Sequence, residues 1–195
     1  MGETSYGLRV NFPGGSTTPK YAVKRMSLLD DSDFRCRFYF DPNTITLSTA
    51  NIHILEMVDN STGYPLLGVF LKHASSNYRL FLGVINGSHT YSYGGEIIIT
   101  DAPHYIEILV HRSSSAGATD GFYKMWIDGK LISITPNVSN FNQFGSTNQI
   151  TFGASDGVLT GVTGTYYIDE IKANRDASLI GPSTPFTQFL PLVLK

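Results

Sequence analysis

The chain has 195 residues, which suits one large or two small domains, since domains typically run from about 50 to about 250 residues. Fourteen Lys and Arg against sixteen Asp and Glu give a formal net charge of -2, and only 15% of the residues are charged. The cations are dispersed, with no run longer than Lys24-Arg25. A duplex binder needs a basic stripe that displaces counterions from phosphates, so the charge pattern argues against nucleic acid as a partner.

The composition favours strands over helices. Ser, Thr and Asn (19, 18 and 11 residues) make up about a quarter of the chain, whereas Ala and Glu, which favour helices, number 9 and 5. β-Branched and aromatic residues, which suit a pleated surface, are abundant. No apolar run approaches the roughly 18 residues that cross a bilayer, so no membrane span is expected. Cys36 is the only cysteine, and its alternation with Phe34, Phe38 and Phe40 predicts a buried thiol.

Segments of strand character recur every ten to fifteen residues and are separated by turn residues. In chain order the expected strands are Tyr6–Phe12, Tyr21–Ser27, Phe34–Asp41, Ile52–Val58, Leu66–Lys72, Tyr78–Ile85, Thr90–Tyr93, Glu96–Thr100, His104–Arg112, Gly121–Ile127, Leu131–Ile134, Gln149–Phe152 and Thr165–Asn174.

Three turn signals join neighbouring strands. Asn86-Gly87, Gly94-Gly95 and Asp128-Gly129 each favour the positive φ of a tight hairpin, so each predicts one. So many strands bury their alternating faces most economically in two packed antiparallel sheets. The sequence therefore predicts an all-β fold, a two-sheet antiparallel β-sandwich or jelly roll. The expected core residues are Phe38, Phe40, Ile54, Val69, Leu80, Leu82, Ile106, Ile108, Val110, Ile127 and Ile168.

The pattern changes after Asp176. Ile180-Gly181-Pro182-Ser183-Thr184-Pro185-Phe186 cannot form a central strand, because proline lacks the N–H that a ladder needs. We therefore divide the chain into a jelly-roll domain over residues 1–176 and a proline-containing C-terminal tail over residues 177–195.

Four segments in the second half carry a family resemblance. They are His104–Val110, the Trp126-Ile127-Asp128-Gly129 hairpin, Ile150-Thr151-Phe152-Gly153-Ala154 and Tyr166-Tyr167-Ile168-Asp169-Glu170-Ile171. In this order they resemble the laminin-G-like jelly roll of the concanavalin A-like lectin/glucanase superfamily, over roughly residues 6 to 176. The superfamily includes lectins, glycanases, polysaccharide lyases and adhesion modules, so the resemblance implies a fold more than an activity.

Catalytic carboxylates are not evident. The E-x-D-x-x-E run of the glucanase branch is absent. Retaining hydrolysis needs two carboxyl groups about 5–5.5 Å apart, whereas Glu56 and Asp59, like Asp169 and Glu170, would point to opposite faces of a regular strand. No catalytic residue is assigned, and the chain is interpreted as more compatible with binding than with catalysis.

Calcium is the expected ion. The resemblance implies one Ca²⁺ held by an aspartate of the C-terminal strand, and Asp169 matches that position. Glu3 and backbone carbonyls near Asn11 are further candidates, since Ca²⁺ takes six to eight oxygen ligands. In the alternative interpretation, Asp169 only caps or pairs locally.

Three tyrosines are candidate ligand-binding residues, because aromatic rings stack on the apolar faces of sugars. Tyr91 and Tyr93 share one face of a short strand, and Tyr64 precedes Pro65 in a turn. Trp126 is expected to pack on its own sheet.

The leading hypothesis is a non-catalytic carbohydrate-binding or adhesion module of an exported or cell-surface bacterial protein. Its expected partner is a glycan or cell-surface polysaccharide, and its expected location is secreted or at the cell surface. The alternatives are a polysaccharide-degrading enzyme of the same fold, either a glycoside hydrolase or a lyase, and a phage or appendage structural protein.

Overall fold

The computed structural model describes residues 7–14, 18–47, 51–74, 76–85, 91–155 and 161–183. This part of the chain is all-β apart from one short helix. The elements are β1 (Leu8–Phe12), β2 (Lys20–Arg25), β3 (Asp33–Asp41), β4 (Ile52–Asp59), β5 (Tyr64–Ala74), β6 (Asn77–Ile85), β7 (Tyr91–Tyr93), β8 (Ile97–Ile99), β9 (His104–His111), β10 (Gly121–Ile127), β11 (Lys130–Val138), α1 (Phe141–Ser146), β12 (Gln149–Ala154) and β13 (Gly164–Asn174).

The strands form two antiparallel sheets packed as a jelly-roll sandwich, as predicted. The first sheet has the order β1-β13-β3-β9-β10-β11. The second has the order β2-β12-β4-β5-β6-β7, and β8 also pairs with β6. The two N-terminal strands therefore each lie beside a C-terminal strand, β1 against β13 and β2 against β12.

The core lies between the sheets and is formed by alternate residues of the strands, since successive side chains of a strand point to opposite faces. Every core residue expected from the sequence is buried there. Phe38 of the first sheet meets Phe152 of the second edge to face, with ring centroids 5.7 Å apart. Cys36 is fully buried, and this burial raises the pKa of its thiol to about 12, so the thiol stays protonated.

The Asp128-Gly129 hairpin is confirmed. It joins β10 to β11 with φ of 51° at Asp128 and 78° at Gly129, the positive values that such a turn requires. The Asp128 carboxylate also accepts the Tyr105 N–H at 3.0 Å, so the turn is fastened to the neighbouring strand β9.

The Gly94-Gly95 hairpin prediction is wrong. β7 and β8 do not pair with each other, because both pair with β6, at Gly83–Ile85 and at Tyr78–Leu80 respectively. The Gly94 N–H donates to the Leu82 carbonyl at 2.7 Å, which keeps the chain running along β6. The expected Asn86-Gly87 turn lies outside the described residues.

Helix α1 was not expected from the sequence. It spans six residues, too few to show a 3.6-residue period, and it buries Phe144. It joins β11 to β12 and so connects the two sheets.

Residues 177–183 cross the outer face of the first sheet, where the buried pair Arg35 and Glu107 holds them. The N–H groups of Ile180 and Gly181 donate to the Glu107 carboxylate at 2.8 and 3.1 Å. Arg35 forms an ion pair with the same carboxylate, and the two side chains are only 4% and 1% exposed. We call this surface, with residues 177–183 lying on it, the covered face.

Candidate functional site

The outer face of the second sheet has a row of residues that crosses six strands in register. From β2 to β7 the row runs Val23, Thr151, Glu56, Gly68, Gly83 and Tyr93. Its middle lacks side chains, because Gly68 and Gly83 are direct neighbours on β5 and β6. A glycine inside a strand often marks a place where another group approaches the backbone closely.

Aromatic rings fill the space above these glycines. Phe70 lies two positions from Gly68, and its ring would be 3.0 Å from a Cβ on Gly68 and 2.6 Å from a Cβ on Gly83. It stacks on Phe81, with centroids 5.0 Å apart and planes 6° from parallel, and the His53 ring lies 4.3 Å away. These rings are buried against the outside of the sheet and do not belong to the core between the sheets.

Tyr91 and Tyr93 complete the ring cluster from β7. Each meets the Phe70 ring edge on at a centroid distance of 5.3 Å, and the two tyrosines are 5.9 Å apart with planes 28° from parallel. Tyr93 is 61% exposed. The structure thus brings together two of the three predicted tyrosines. We call the row and its rings the aromatic face.

Glu56 supplies a carboxylate next to the rings. Its Oε1 accepts the Tyr91 hydroxyl at 3.2 Å, and its Oε2 accepts the Ser155 hydroxyl at 3.0 Å. His53 Nε2 lies 3.9 Å from Oε1, beyond hydrogen-bond distance. The Glu56 side chain is 14% exposed.

A charged group lies beside the aromatic rings. Lys72 and Arg79 are cross-strand neighbours, and both bind Glu96. The hydrogen bond from Lys72, together with that from Arg79, holds the pKa of Glu96 below its usual value, although burial acts in the opposite direction. Among the described residues, Glu96 and Glu56 have different hydrogen-bond partners.

The third predicted tyrosine lies apart from the others. Tyr64 begins β5 and is 45% exposed. It precedes Gly68 by four positions, or about 13 Å of extended strand, so it lies toward the end of the sheet. Trp126 lies on the first sheet, under the Arg35 guanidinium at 4.3 Å from the ring centroid.

Asp169 lies on β13 at an irregularity in its pairing with β3. Its carboxylate accepts the Glu170 N–H at 2.8 Å and lies against Gly7, where a Cβ would come within 3.2 Å of the carboxyl carbon. The described residues contain no group of three or more His, Cys, Asp or Glu side chains arranged to hold a metal. Asp169 is therefore not part of such a group, and Glu3 lies outside the described residues.

Sequence analysis missed most of the aromatic face. His53, Phe70 and Phe81 were not singled out, Ser155 was assigned no role in a site, and Glu56 was considered only as a partner of Asp59. The available signal was the pair of glycines inside two consecutive strands, because a residue without a side chain there leaves room for neighbouring rings.

No protein-family model and no curated protein sequence matches the chain. Solved structures do match its fold. The cellulose induced protein Cip1 aligns with a TM-score of 0.61 and 13% identity, over 93% of this chain and 84% of its own. An endo-β-1,4-glucuronan lyase from the fungus Trichoderma reesei aligns with a TM-score of 0.58 and 13% identity, over 86% and 79%. The alginate lyase Aly36B gives a TM-score of 0.58 and 11% identity, over 85% and 79%.

At these identities the likeness shows the fold alone. It is a jelly-roll sandwich of the concanavalin A-like type, as the resemblance implied, and the laminin-G-like subdivision remains a prediction. Among the described residues there is no helix with the length and hydrophobicity needed to span a membrane.

Proposed function

We propose that the aromatic face binds carbohydrate without catalysing its cleavage. The observation that carries the proposal is the cluster of rings seated over Gly68 and Gly83 beside the carboxylate of Glu56. Sugar sites combine aromatic surfaces, which pack on the C–H faces of pyranose rings, with a few polar groups that bind hydroxyls. Tyr93 supplies exposed ring surface here, and Glu56 and Ser155 supply polar atoms.

The fold relatives support a carbohydrate-related role. Two of them are lyases of glucuronan and alginate, and a third is a cellulose induced protein. From these relatives we carry over to this chain only the general class of ligand, a polysaccharide. Under the same proposal, the protein is a glycan-binding or adhesion module of laminin-G-like type. It acts outside the cell or at the cell surface.

The arrangement of carboxylates supports binding over hydrolysis. Glycosidases use two carboxyl groups that flank one bond. Here Glu56 is bound by two hydroxyls and Glu96 by two cations, and each has its own partners. Asp59, the other carboxylate near Glu56 in sequence, accepts the Ser61 hydroxyl instead, and that bond lowers its pKa.

A second candidate is a polysaccharide lyase at the same face. The observation that favours it is the convergence of His53, Glu56 and Tyr91, since imidazole and phenol groups can act as general bases. A lyase removes a proton next to a uronate carboxylate, whose negative charge must be neutralised. The negative charge of Glu56 would work against that neutralisation.

The test is affinity electrophoresis of the protein through gels containing soluble polysaccharides, with parallel assays for reducing sugar and for the ultraviolet absorbance of unsaturated products. We expect retardation by at least one polysaccharide and no product. Turnover in either assay would replace the binding function with an enzymatic one. Absence of retardation, together with a large assembly in light scattering, would favour the phage or appendage alternative.

A further inference from the structure

We propose that Glu56 makes the aromatic face select neutral sugars over uronates. The inference rests on the proposed function and names the substrate class of that same site. It makes Glu56 the specificity-determining residue, with the rings supplying the affinity common to all sugars.

Glu56 lies where a bound sugar would have to pass. It is directly opposite Gly68 in the cross-strand row, and Gly83 and Tyr93 follow on the next two strands. The Glu56 Oε1 accepts the Tyr91 hydroxyl at 3.2 Å, and the Tyr91 ring centroid lies 5.9 Å from that of the exposed Tyr93. A pyranose that stacks on these two rings therefore lies next to the carboxylate.

The hydrogen-bond partners of Glu56 leave room for hydroxyl donors. An ionised carboxylate accepts about four hydrogen bonds, and hydroxyls of Tyr91 and Ser155 donate one to each oxygen. His53 lies 3.9 Å away and is charged only if protonated. Neighbouring hydroxyls of a neutral sugar can donate to the remaining positions, whereas the carboxylate of a uronate has no proton to donate and repels Glu56.

The basic side chains described on this sheet do not offset Glu56. Lys72 and Arg79 both bind Glu96, and the one net positive charge of this group lies four positions along β5 from Gly68, or about 13 Å from the row. Arg25 lies on the edge strand β2, two strands from Glu56, or about 10 Å away. A uronate bound at the centre of the aromatic face is therefore closer to Glu56 than to these cations.

The experiment compares neutral probes (hydroxyethyl cellulose, galactomannan and arabinoxylan) with anionic probes (polygalacturonate and alginate) by affinity electrophoresis. It uses the full chain and the variant Glu56→Gln. Asp30→Asn is the matched control, because it makes the same charge change at an exposed residue away from this sheet. The wild type is expected to bind a neutral probe at least about tenfold more tightly than either uronate.

Glu56→Gln is expected to weaken binding of the neutral probes and to reduce the ratio of neutral to uronate affinity about tenfold. Asp30→Asn is expected to change neither quantity. Salt provides a second readout. Between about 0.01 M and 1 M the Debye length falls from about 30 Å to about 3 Å, so uronate binding to the wild type should rise relative to neutral binding.

The outcomes separate the two proposals. A wild type that binds none of the five probes contradicts the proposed function itself. A wild type that binds uronates as well as neutral probes, or a Glu56→Gln variant with unchanged selectivity, overturns the role of Glu56 and leaves carbohydrate binding in place.

Discussion

The central carboxylates on the two outer faces of the sandwich have different hydrogen-bond partners. On the covered face, Glu107 accepts hydrogen bonds from two backbone N–H groups and pairs with Arg35, so its partners are groups of the protein itself. On the aromatic face, Glu56 accepts only from hydroxyls among the described contacts, and Tyr93 beside it is 61% exposed. A glutamate thus stabilises the fold on the first sheet, whereas a glutamate on the second sheet is available to a ligand.

This difference teaches which face to test for function. Backbone N–H groups hold a carboxylate in a fixed geometry, whereas hydroxyl donors can rotate to admit a new partner. Stability should therefore depend most on the covered face and glycan binding on the aromatic face. The predictions below test that division.

The largest effect is expected for Glu107→Ala. Removing this carboxylate leaves the Arg35 guanidinium buried without its ion pair and the N–H groups of Ile180 and Gly181 without their acceptor. Breaking a buried pair from one side costs about 3–5 kcal/mol, so the free energy of unfolding in urea should fall by that amount.

Glu96→Ala is the comparison for Glu107→Ala. Its ion pairs with Lys72 and Arg79 are partly exposed, and such pairs contribute little to stability. An equal loss in the two variants would contradict the distinction between the faces.

Gly83→Ala is expected to damage the aromatic face. The new Cβ would lie 2.6 Å from the Phe70 ring and 3.1 Å from both Tyr91 and Tyr93, so these rings must shift. Overpacking of this kind costs about 1–3 kcal/mol of unfolding free energy, and glycan retardation should fall with it.

Gly95→Ala controls for the substitution itself, since nothing lies within 4 Å of its added Cβ. Both proteins would be compared by urea unfolding and by affinity electrophoresis. Full glycan binding by Gly83→Ala would show that the ring positions do not matter for the ligand.

Tyr93→Ala should separate binding from stability. We expect glycan binding to weaken about tenfold, or about 1.4 kcal/mol. Because the side chain is 61% exposed, the unfolding free energy should change by less than about 0.5 kcal/mol.

The opposite pattern is expected for Trp126→Ala, whose ring packs under Arg35 on the first sheet. That variant should lose stability and keep its glycan affinity. Reduced glycan binding by Trp126→Ala at unchanged stability would move the site to the other sheet.

The smallest effect concerns calcium at Asp169. If this carboxylate holds Ca²⁺, adding the ion after EDTA treatment should raise the melting temperature by about 2–4 °C, equivalent to about 1 kcal/mol. Asp169→Asn should abolish the increase, and Asp30→Asn should preserve it. An unchanged melting temperature in the wild type would contradict calcium binding.

The strands were predictable because each carries its own period-2 pattern, as in Phe34, Cys36, Phe38 and Phe40, all buried on one side of β3. Asp128-Gly129 was predictable for a similar local reason, since its positive φ values suit these residue types. Gly94-Gly95 was misinterpreted because the local sequence does not reveal that β6 is long enough to pair with both β7 and β8.

The site was only partly predictable, because its parts lie far apart in the chain. Tyr91 and Tyr93 are visible as a pair in the sequence, but Ser155 reaches Glu56 across 99 positions. That contact depends on β12 pairing with β4, which no local pattern specifies.

The pairing of β1 with β13 and of β2 with β12 has a consequence for the order of events during synthesis. Neither N-terminal strand can find its partner until the ribosome has made β12 and β13. Long-range pairing of this kind slows folding. Until β12 and β13 are present, β1 and β2 expose unpaired edges. A version shortened before β13 would leave β1 without its partner and β3 without one of its two neighbours, so the sandwich is expected to form late and as one unit.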